Sequence, residues 1–352
     1  MGTCCTNTTQ EKESFTAITA PIYINNENLE IGMQTKIKES NETPSSPIRS
    51  EKIDEENYDS IKSYRGVLIN NVNVYLHSLI AQIFDEQTSL AIKIFNSLGP
   101  FPFPIIKDQT LTQVGPVQID EGMIYQGQWL DSRRHGFGKQ LYSFGSIYEG
   151  EWNNDQQHGY GRMVLPNGYY YEGQWINDKA WGVGKYVMID GTTYNGDWVE
   201  DKQHGKGIEQ WNNGQRYEGT YQNGQKTGYG IFEWPDGSKY EGELLDGMPH
   251  GNGEYCWKDG KKYKGEWMLN QMNGYGIYTW PDGKIYKGNF ERDQRNGYGE
   301  LDWSDGRIYK GQWKNGKQNG EGTFTYNNKV RKGVWQNGQP IKWGQSEILS
   351  QQ

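Results

Sequence analysis

The feature that most constrains this chain is a repeat of fixed length. A Tyr-x-Gly-x-aromatic unit recurs nine times, and every step between neighbouring copies is 23 residues. A period of this length indicates a fold built from stacked supersecondary units, each too small to bury its own apolar side chains. The copies begin at Tyr125, Tyr148, Tyr171, Tyr194, Tyr217, Tyr240, Tyr263, Tyr286 and Tyr309.

Each period carries the pattern of two short strands. In segment 148–152, Tyr-Glu-Gly-Glu-Trp, the aromatic residues and the glycine fall on one face and the acidic residues on the other. This alternation is typical of a half-buried β-strand. A second short strand follows in every copy, so the sequence predicts a β-hairpin per period.

Glycines mark the predicted turns. Seven of the nine copies end in Asp-Gly or Asn-Gly, as at Asp236-Gly237. This dipeptide favours a two-residue type I′ turn, in which both central residues need positive φ. The paired glycines near the middle of each copy, Gly136 and Gly138 in the first, predict the tight return between hairpins.

The aromatic residues keep the same register, so stacked copies place a ladder of rings along one face. Exposed tyrosine and tryptophan are frequent hot spots of protein interfaces, although packing of hairpin on hairpin is the alternative role for these rings. The candidate partner-binding aromatic face comprises Tyr148, Trp152, Tyr171, Trp175, Tyr194, Trp198, Tyr217, Tyr263, Trp267, Tyr309 and Trp313.

The pattern of residues 148–161, Tyr-Glu-Gly-Glu-Trp followed by His-Gly-Tyr-Gly, resembles the membrane occupation and recognition nexus (MORN) repeat. The resemblance covers residues 115–340. It implies an all-β repeat fold, an elongated twisted antiparallel sheet of stacked 23-residue β-hairpins. It also implies binding of partner proteins or a place close to membranes. Relatives include junction-forming membrane proteins, ciliary and cytoskeletal scaffolds and regulatory extensions of lipid kinases.

The chain outside the repeats divides by composition. Residues 1–57 are polar and acidic without apolar periodicity, which predicts a disordered tail. A helical segment is expected over 58–98 and a proline-rich linker over 99–114. The array of nine full repeats plus degenerate ends follows at 115–340, and residues 341–352 form a C-terminal tail.

Within the helical segment, apolar residues recur every three or four positions from Tyr58 to Ile83, which predicts an amphipathic helix. A second, short helix is expected from Ser89 to Leu98, ended by the Gly-Pro pair that follows. We expect these helices to cover the open end of the β-stack. A partner-binding helix of the helix-in-groove kind is the alternative.

The end repeats depart from the pattern, as capping repeats do. Residues 115–124 supply only the second half of a leading repeat, with Gly122 at the turn position. At the other end Lys329 replaces the turn glycine, and the pair Gly333 and Trp335 arrives one residue early. These features predict a degenerate tenth copy that closes the array.

The first six residues, Met-Gly-Thr-Cys-Cys-Thr, fit the N-myristoylation pattern at Gly2, and Cys4 and Cys5 are natural palmitate acceptors. One myristoyl chain binds membranes only marginally, so stable anchoring needs a second signal. The acidic tail cannot supply a polybasic one. We therefore predict lipidation at Gly2, Cys4 and Cys5, although a chance match of a short motif is the alternative.

Several function classes are disfavoured. The formal charge of −8 and the lack of a basic stripe argue against nucleic-acid binding. The glycine pairs lack the Lys-Ser/Thr of a phosphate-binding loop. Four histidines share one repeat position, about 10 Å apart between neighbouring copies and too far to share zinc. They are His135, His158, His204 and His250, predicted to be loop residues, and Cys256 is read as a structural cysteine.

These observations predict a non-catalytic scaffold without cofactor or metal. Acyl chains would tether it to the cytosolic face of a membrane, and the repeats would bind protein partners. Two alternatives remain open: a module that binds phosphoinositide or another anionic lipid, and a structural component of cilia or of the cortical cytoskeleton.

Overall fold

The computed structural model describes residues 86–102 and 110–348 and shows a nearly all-β chain. The chain divides into two compact units between Asn212 and Asn213. The first unit comprises the described residues up to Asn212, and the second comprises residues 213–348. Both are antiparallel meanders in which each strand pairs with the strand that follows it inside the unit.

The first unit contains the single described helix and nine strands. The helix α1 spans Glu86–Ser97, close to the predicted 89–98, whereas the predicted 58–83 helix and the predicted disordered tail lie outside the described residues. The strands are β1 Thr112–Asp120, β2 Met123–Leu130, β3 Arg133–Leu141, β4 Ile147–Asn153, β5 Gln156–Val164, β6 Tyr170–Ile176, β7 Lys179–Val187, β8 Thr193–Val199 and β9 Lys202–Gln210.

The second unit repeats the same alternation of short and longer strands. Its strands are β10 Arg216–Gln222, β11 Gln225–Glu233, β12 Lys239–Leu245, β13 Met248–Cys256, β14 Lys262–Met268, β15 Gln271–Thr279, β16 Ile285–Glu291, β17 Gln294–Asp302, β18 Ile308–Lys314, β19 Lys317–Tyr326, β20 Lys329–Gln336 and β21 Gln339–Ile348. The prediction of an all-β antiparallel repeat built from 23-residue units is confirmed.

The predicted position of the type I′ turn was wrong. Two consecutive residues with positive φ occur after the first strand of the repeat, as at Asn154 (49°) and Asp155 (70°) between β4 and β5. In the Asp-Gly loop only the glycine, Gly237, has positive φ (88°). Its amide donates to the Trp234 carbonyl at 2.9 Å, which is the three-residue loop of a type I turn followed by a left-handed glycine.

The paired glycines are not a return between hairpins, as predicted, but lie inside the second strand of each repeat. In β5, Gly159 has φ of 61° and sits in a bulge opposite Glu151, whose carboxylate accepts a hydrogen bond from the Tyr160 amide at 2.9 Å. Gly161 faces Gly150 across the strands. A side chain on Gly150 would lie 2.5 Å from the Gly161 Cα, so both positions must stay bare.

The ends of the array extend beyond the predicted limits, because β1 begins at Thr112 and β21 reaches Ile348. The degenerate tenth copy has a simple geometric cause. Between β19 and β20 the loop is a two-residue turn with positive φ at Asn327 and Asn328, instead of the longer Asp-Gly loop. The shorter loop brings Gly333 opposite Gly322, one residue earlier than the regular spacing.

Candidate binding faces of the repeat sheet

The face that carries the repeat tyrosines, here called the inner face, is closed to partners. All eleven aromatic residues proposed as a partner-binding face are buried, with at most 4% of the surface of any of them exposed. The prediction that this face binds a partner is therefore wrong for the chain as it folds. The physical reason is that each repeat is too small to bury its apolar side chains alone, so the rings of neighbouring repeats pack on one another and form a core along this face.

The rings of the inner face interlock from repeat to repeat. The Tyr148 ring meets Trp152 of its own copy edge-on at 5.1 Å between centroids, and meets Trp175 of the next copy at 5.4 Å. Its hydroxyl donates to the Glu151 carbonyl at 2.9 Å. The Trp152 indole N–H donates to the Gly138 carbonyl at 3.2 Å. Each repeat therefore completes the burial of the one before it.

Burial also fixes the ionisation of these tyrosines. Desolvation raises the pKa of Tyr309 to about 12, and it raises the pKa of Tyr148 well above its ordinary value. A phenol that stays neutral keeps its O–H available for the backbone carbonyl three residues ahead, so the hydrogen bond persists over the whole physiological pH range.

The opposite, outer face differs between the two units, and in the first unit α1 covers the part of it that β2, β3 and β4 form. Ile124, Leu141 and Ile147 form a buried cluster on this face, against which Ile92 and Phe95 of α1 pack. The expectation that the helical segment covers the open end of the stack was therefore wrong for α1. The helix lies on the face of the sheet, where aliphatic side chains of β2, β3 and β4 need a cover.

The chain after α1 continues across the same face. Phe101 stacks on Tyr160 at 5.6 Å with 21° between the ring planes. Arg162 is buried beneath this contact, and its guanidinium donates to Glu149 at 3.1 Å and to Glu172 at 2.9 Å. It also donates to the Gly99 carbonyl at 3.2 Å, so one side chain ties the segment 99–102 to the sheet.

The carboxylate of Glu149 depends on this arrangement. Burial raises its pKa above the ordinary value, and the nearby Lys139 and Arg162 lower it in part. Lys139 lies 3.6 Å from Glu149 and also over the Phe95 ring of α1. These two basic side chains, Lys139 and Arg162, therefore contact both the sheet and its cover.

In the second unit the outer face presents exposed rings. Tyr229, Tyr275 and Tyr298 each stand between the paired glycines of a repeat, and between 52% and 57% of their surface is exposed. Tyr160 holds the same position in the first unit. The sequence analysis did not single out this row. The signal was present, since a residue next to the inner-facing second glycine must point to the opposite face.

The histidines and the cysteine have structural positions. His158 lies within β5 and not in a loop as predicted, and its Nδ1 is buried without a hydrogen-bond partner, as are those of His135, His204 and His250. Cys256 is a free, half-buried thiol whose pKa burial raises, which lowers its reactivity. Among the described residues no group of His, Cys, Asp or Glu side chains could hold a metal ion.

The predicted lipidation sites, Gly2, Cys4 and Cys5, lie outside the described residues and stay a prediction. No helix in residues 86–102 or 110–348 has the length and the apolar character that a membrane span requires.

Comparison with known proteins agrees with the repeat architecture. The MORN repeat model matches nine consecutive segments: residues 125–146, 148–168, 171–193, 194–216, 217–239, 240–262, 263–285, 286–306 and 309–331. These segments together span more than half of the chain. A search of curated proteins finds no match.

Similar solved structures include the TCP10 domain of Danio rerio CPAP in complex with a peptide of STIL. It is 14% identical, with a TM-score of 0.28, and the match covers 61% of this chain and 95% of that chain. Another is the TCP domain of Drosophila melanogaster SAS-4 with a proline-rich motif of Ana2. It is 13% identical, with a TM-score of 0.24, and the match covers 61% of this chain and 97% of that one.

The interlocked inner rings and the period of 23 residues define a β-repeat module. The chain belongs to the MORN repeat family, and the nine matched segments follow the nine tyrosine-led copies found in the sequence.

Proposed function

We propose that this chain is a non-catalytic scaffold that binds protein partners and is held at the cytosolic face of a membrane by acyl chains on its N-terminus. The observation that carries the proposal is that the two faces of the sheet differ in their burial. The inner rings are buried and hold the repeats together, whereas the outer face of the second unit displays tyrosines with more than half of their surface exposed.

The membrane tether rests on the first six residues. Gly2, Cys4 and Cys5 supply the two signals that stable anchoring requires, a myristoyl chain and palmitate. The polar, acidic tail predicted for residues 1–57 would give the repeats reach from the membrane surface.

Membrane fractionation tests the tether. The intact protein is expressed in a eukaryotic cell beside Gly2→Ala and Cys4→Ser/Cys5→Ser variants. We expect the wild type in the membrane fraction and both variants in the soluble fraction. Equal solubility of all three proteins would overturn the tether and favour a cytoskeletal role. Co-sedimentation with microtubules that the Gly2→Ala change leaves intact would support that role.

The same experiment addresses lipid binding by the repeats. If all three proteins stay on membranes, the repeats or a partner hold them there. Binding of the full chain to vesicles containing phosphoinositide, with strong weakening by salt, would then indicate an anionic-lipid module. We expect no such binding, because lysines on the outer face pair with carboxylates, as Lys310 does with Glu300 at 2.9 Å.

A further inference from the structure

The outer tyrosines of the second unit form one straight row. Tyr275 in β15 and Tyr298 in β17 each precede a glycine, and these glycines align across the intervening strand β16 through Gly288. The two rings therefore sit at the same level along their strands, two strands apart. Ile277 lies two residues beyond Tyr275 on the same face and is 37% exposed. The row continues to Tyr229, four strands away from Tyr275 in β11.

In the first unit, a segment of the same chain packs on the residue between the paired glycines. Tyr160, five repeats before Tyr275, is stacked against Phe101, which lies between Pro100 and Pro102. The residue after the second glycine, Arg162, donates to a backbone carbonyl of that segment. A proline-flanked segment carrying an aromatic ring therefore already docks on this repeat position inside the same molecule.

The spacing of the row selects one backbone conformation. Neighbouring strands lie about 4.8 Å apart, so Tyr275 and Tyr298 are about 9.6 Å apart along the repeat direction. A polyproline II helix rises about 3.1 Å per residue and repeats every three residues, or about 9.3 Å. A ligand in this conformation places every third side chain on successive repeats, and Tyr229 falls two turns beyond Tyr275.

The charges around the row match an uncharged ligand. Lys264 lies 3.5 Å from Glu254, and Lys287 lies 3.6 Å from Asp302. In each of these pairs the lysine offsets the carboxylate beside it, so the pairs offer no cluster of one sign to a charged segment. Aromatic rings with paired charges between them suit proline and aromatic side chains.

We infer that the outer face of the second unit binds a proline-rich protein segment in the polyproline II conformation, with aromatic or proline side chains, spaced by three and then six residues, seated on Tyr298, Tyr275 and Tyr229. The inference rests on the proposed scaffold function and names the class of partner. The ligand runs along the repeat direction, across the strands, and does not add a strand to the sheet.

Fluorescence anisotropy with the full chain tests the inference. The probe is a labelled, proline-rich peptide of about fifteen residues with phenylalanine at every third position. A matched peptide of the same composition carries phenylalanine at every fourth position. We expect the first to bind at least about fivefold more tightly, and we expect affinity to change less than about twofold between about 0.05 and 0.5 M salt.

Variants locate the site. We expect Tyr275→Ser/Tyr298→Ser to weaken binding of the period-three peptide at least about tenfold. The control is Tyr326→Ser, which removes a tyrosine of similar exposure (43%) from the inner side of the same unit and should leave affinity unchanged. Circular dichroism and thermal unfolding verify that each variant folds.

Three results would overturn the inference: no binding of the period-three peptide, equal binding of both peptides, or wild-type affinity of the double variant. The membrane experiment separates this failure from that of the proposed function. If the Gly2→Ala change still releases the protein from membranes while the peptide does not bind, the tethered scaffold stands and only the partner class falls.

Discussion

The two units have inner faces of the same kind and differ in their outer faces. In both, a tyrosine of each repeat is buried at the centre of edge-on tryptophan or other aromatic contacts, as at Tyr171 and Tyr286. In the first unit the outer face carries Ile124 and Arg162 beneath α1 and its extension. In the second unit the residue that corresponds to Arg162 is Ile277, and the tyrosine beside it stays exposed.

This difference separates the inner positions, which form the core, from the outer positions, which form the surface. The inner positions are constrained in every copy, because each ring completes the core of its neighbour. The outer positions are free to vary, and the chain uses them for its own cover in one unit and leaves aromatic surface in the other. A family of identical backbones can therefore carry different binding surfaces.

The largest predicted loss of stability should be equal in the two units. Tyr171→Ala and Tyr286→Ala each remove a ring that is fully buried, and each should lower the free energy of unfolding of its unit by about 3–5 kcal/mol. Chemical denaturation followed by hydrogen exchange in each unit measures this. Tyr→Phe at the same positions removes only the hydroxyl bond and should cost about 0.5–1.5 kcal/mol. A small effect of either alanine variant would contradict the shared core.

The second largest predicted loss of stability should be confined to the first unit. Arg162→Met leaves Glu149 buried with Lys139 as its remaining partner, and we expect a loss of about 2–3 kcal/mol. Ile277→Met, at the corresponding position of the second unit, should change stability by less than about 0.5 kcal/mol. Equal effects of the two substitutions would show that the Arg162 contacts do not hold the cover.

The Arg162 effect should also depend on pH. Glu149 has its pKa raised in the folded state, so its contribution to stability is greatest below its ordinary pKa near 4.5 and is lost as the pH rises. Removing Arg162 takes away a charge that lowers this pKa. The variant should therefore approach wild-type stability below pH 4.5 and fall behind it above that pH, as measured by denaturation across the range.

A smaller change tests the cover itself. Phe101→Ala removes the ring stacked on Tyr160 and should cost about 2 kcal/mol, less than a fully enclosed phenylalanine, because Tyr160 remains 41% exposed. Hydrogen exchange should rise in β4 to β6 and stay unchanged in the second unit. A rise that extends equally through both units would contradict a local cover.

The smallest predicted change in stability comes from a pair of reciprocal substitutions, one in each unit, with effects of opposite sign. Leu269 occupies the first turn position with φ of 49°, where Asn177 has 50° in the first unit. Asparagine tolerates this conformation better than leucine. Leu269→Asn should stabilise the second unit by about 0.5–1 kcal/mol, and Asn177→Leu should destabilise the first by a similar amount. Thermal unfolding of both variants measures the pair.

Much of the fold could be predicted because the signal repeats. The nine tyrosines fixed the number of copies, the period-two alternation fixed the strands, and the short helix ended at its Gly-Pro pair. The turn type was wrong at Asp236-Gly237 because Asp-Gly serves both in a type I′ turn and in a type I turn followed by a left-handed glycine. Only the strand register distinguishes the two.

The site was harder to predict. The periodicity showed which residues share a face. It did not show whether the face with more tryptophan forms the core or a binding surface. The eleven rings of that face are buried, and the exposed row passed unnoticed because Tyr229, Tyr275 and Tyr298 stand between glycines that had been interpreted as turns.

The sequence by itself determined the repeat, its strand content and the family, since these depend on local alternation and a fixed period. Only the tertiary structure decided which face is core, where the chain turns, and that α1 lies on the sheet and not at its end. Those outcomes depend on contacts between residues far apart in the chain, such as Arg162 and Gly99, whose burial and hydrogen bonds no local pattern encodes.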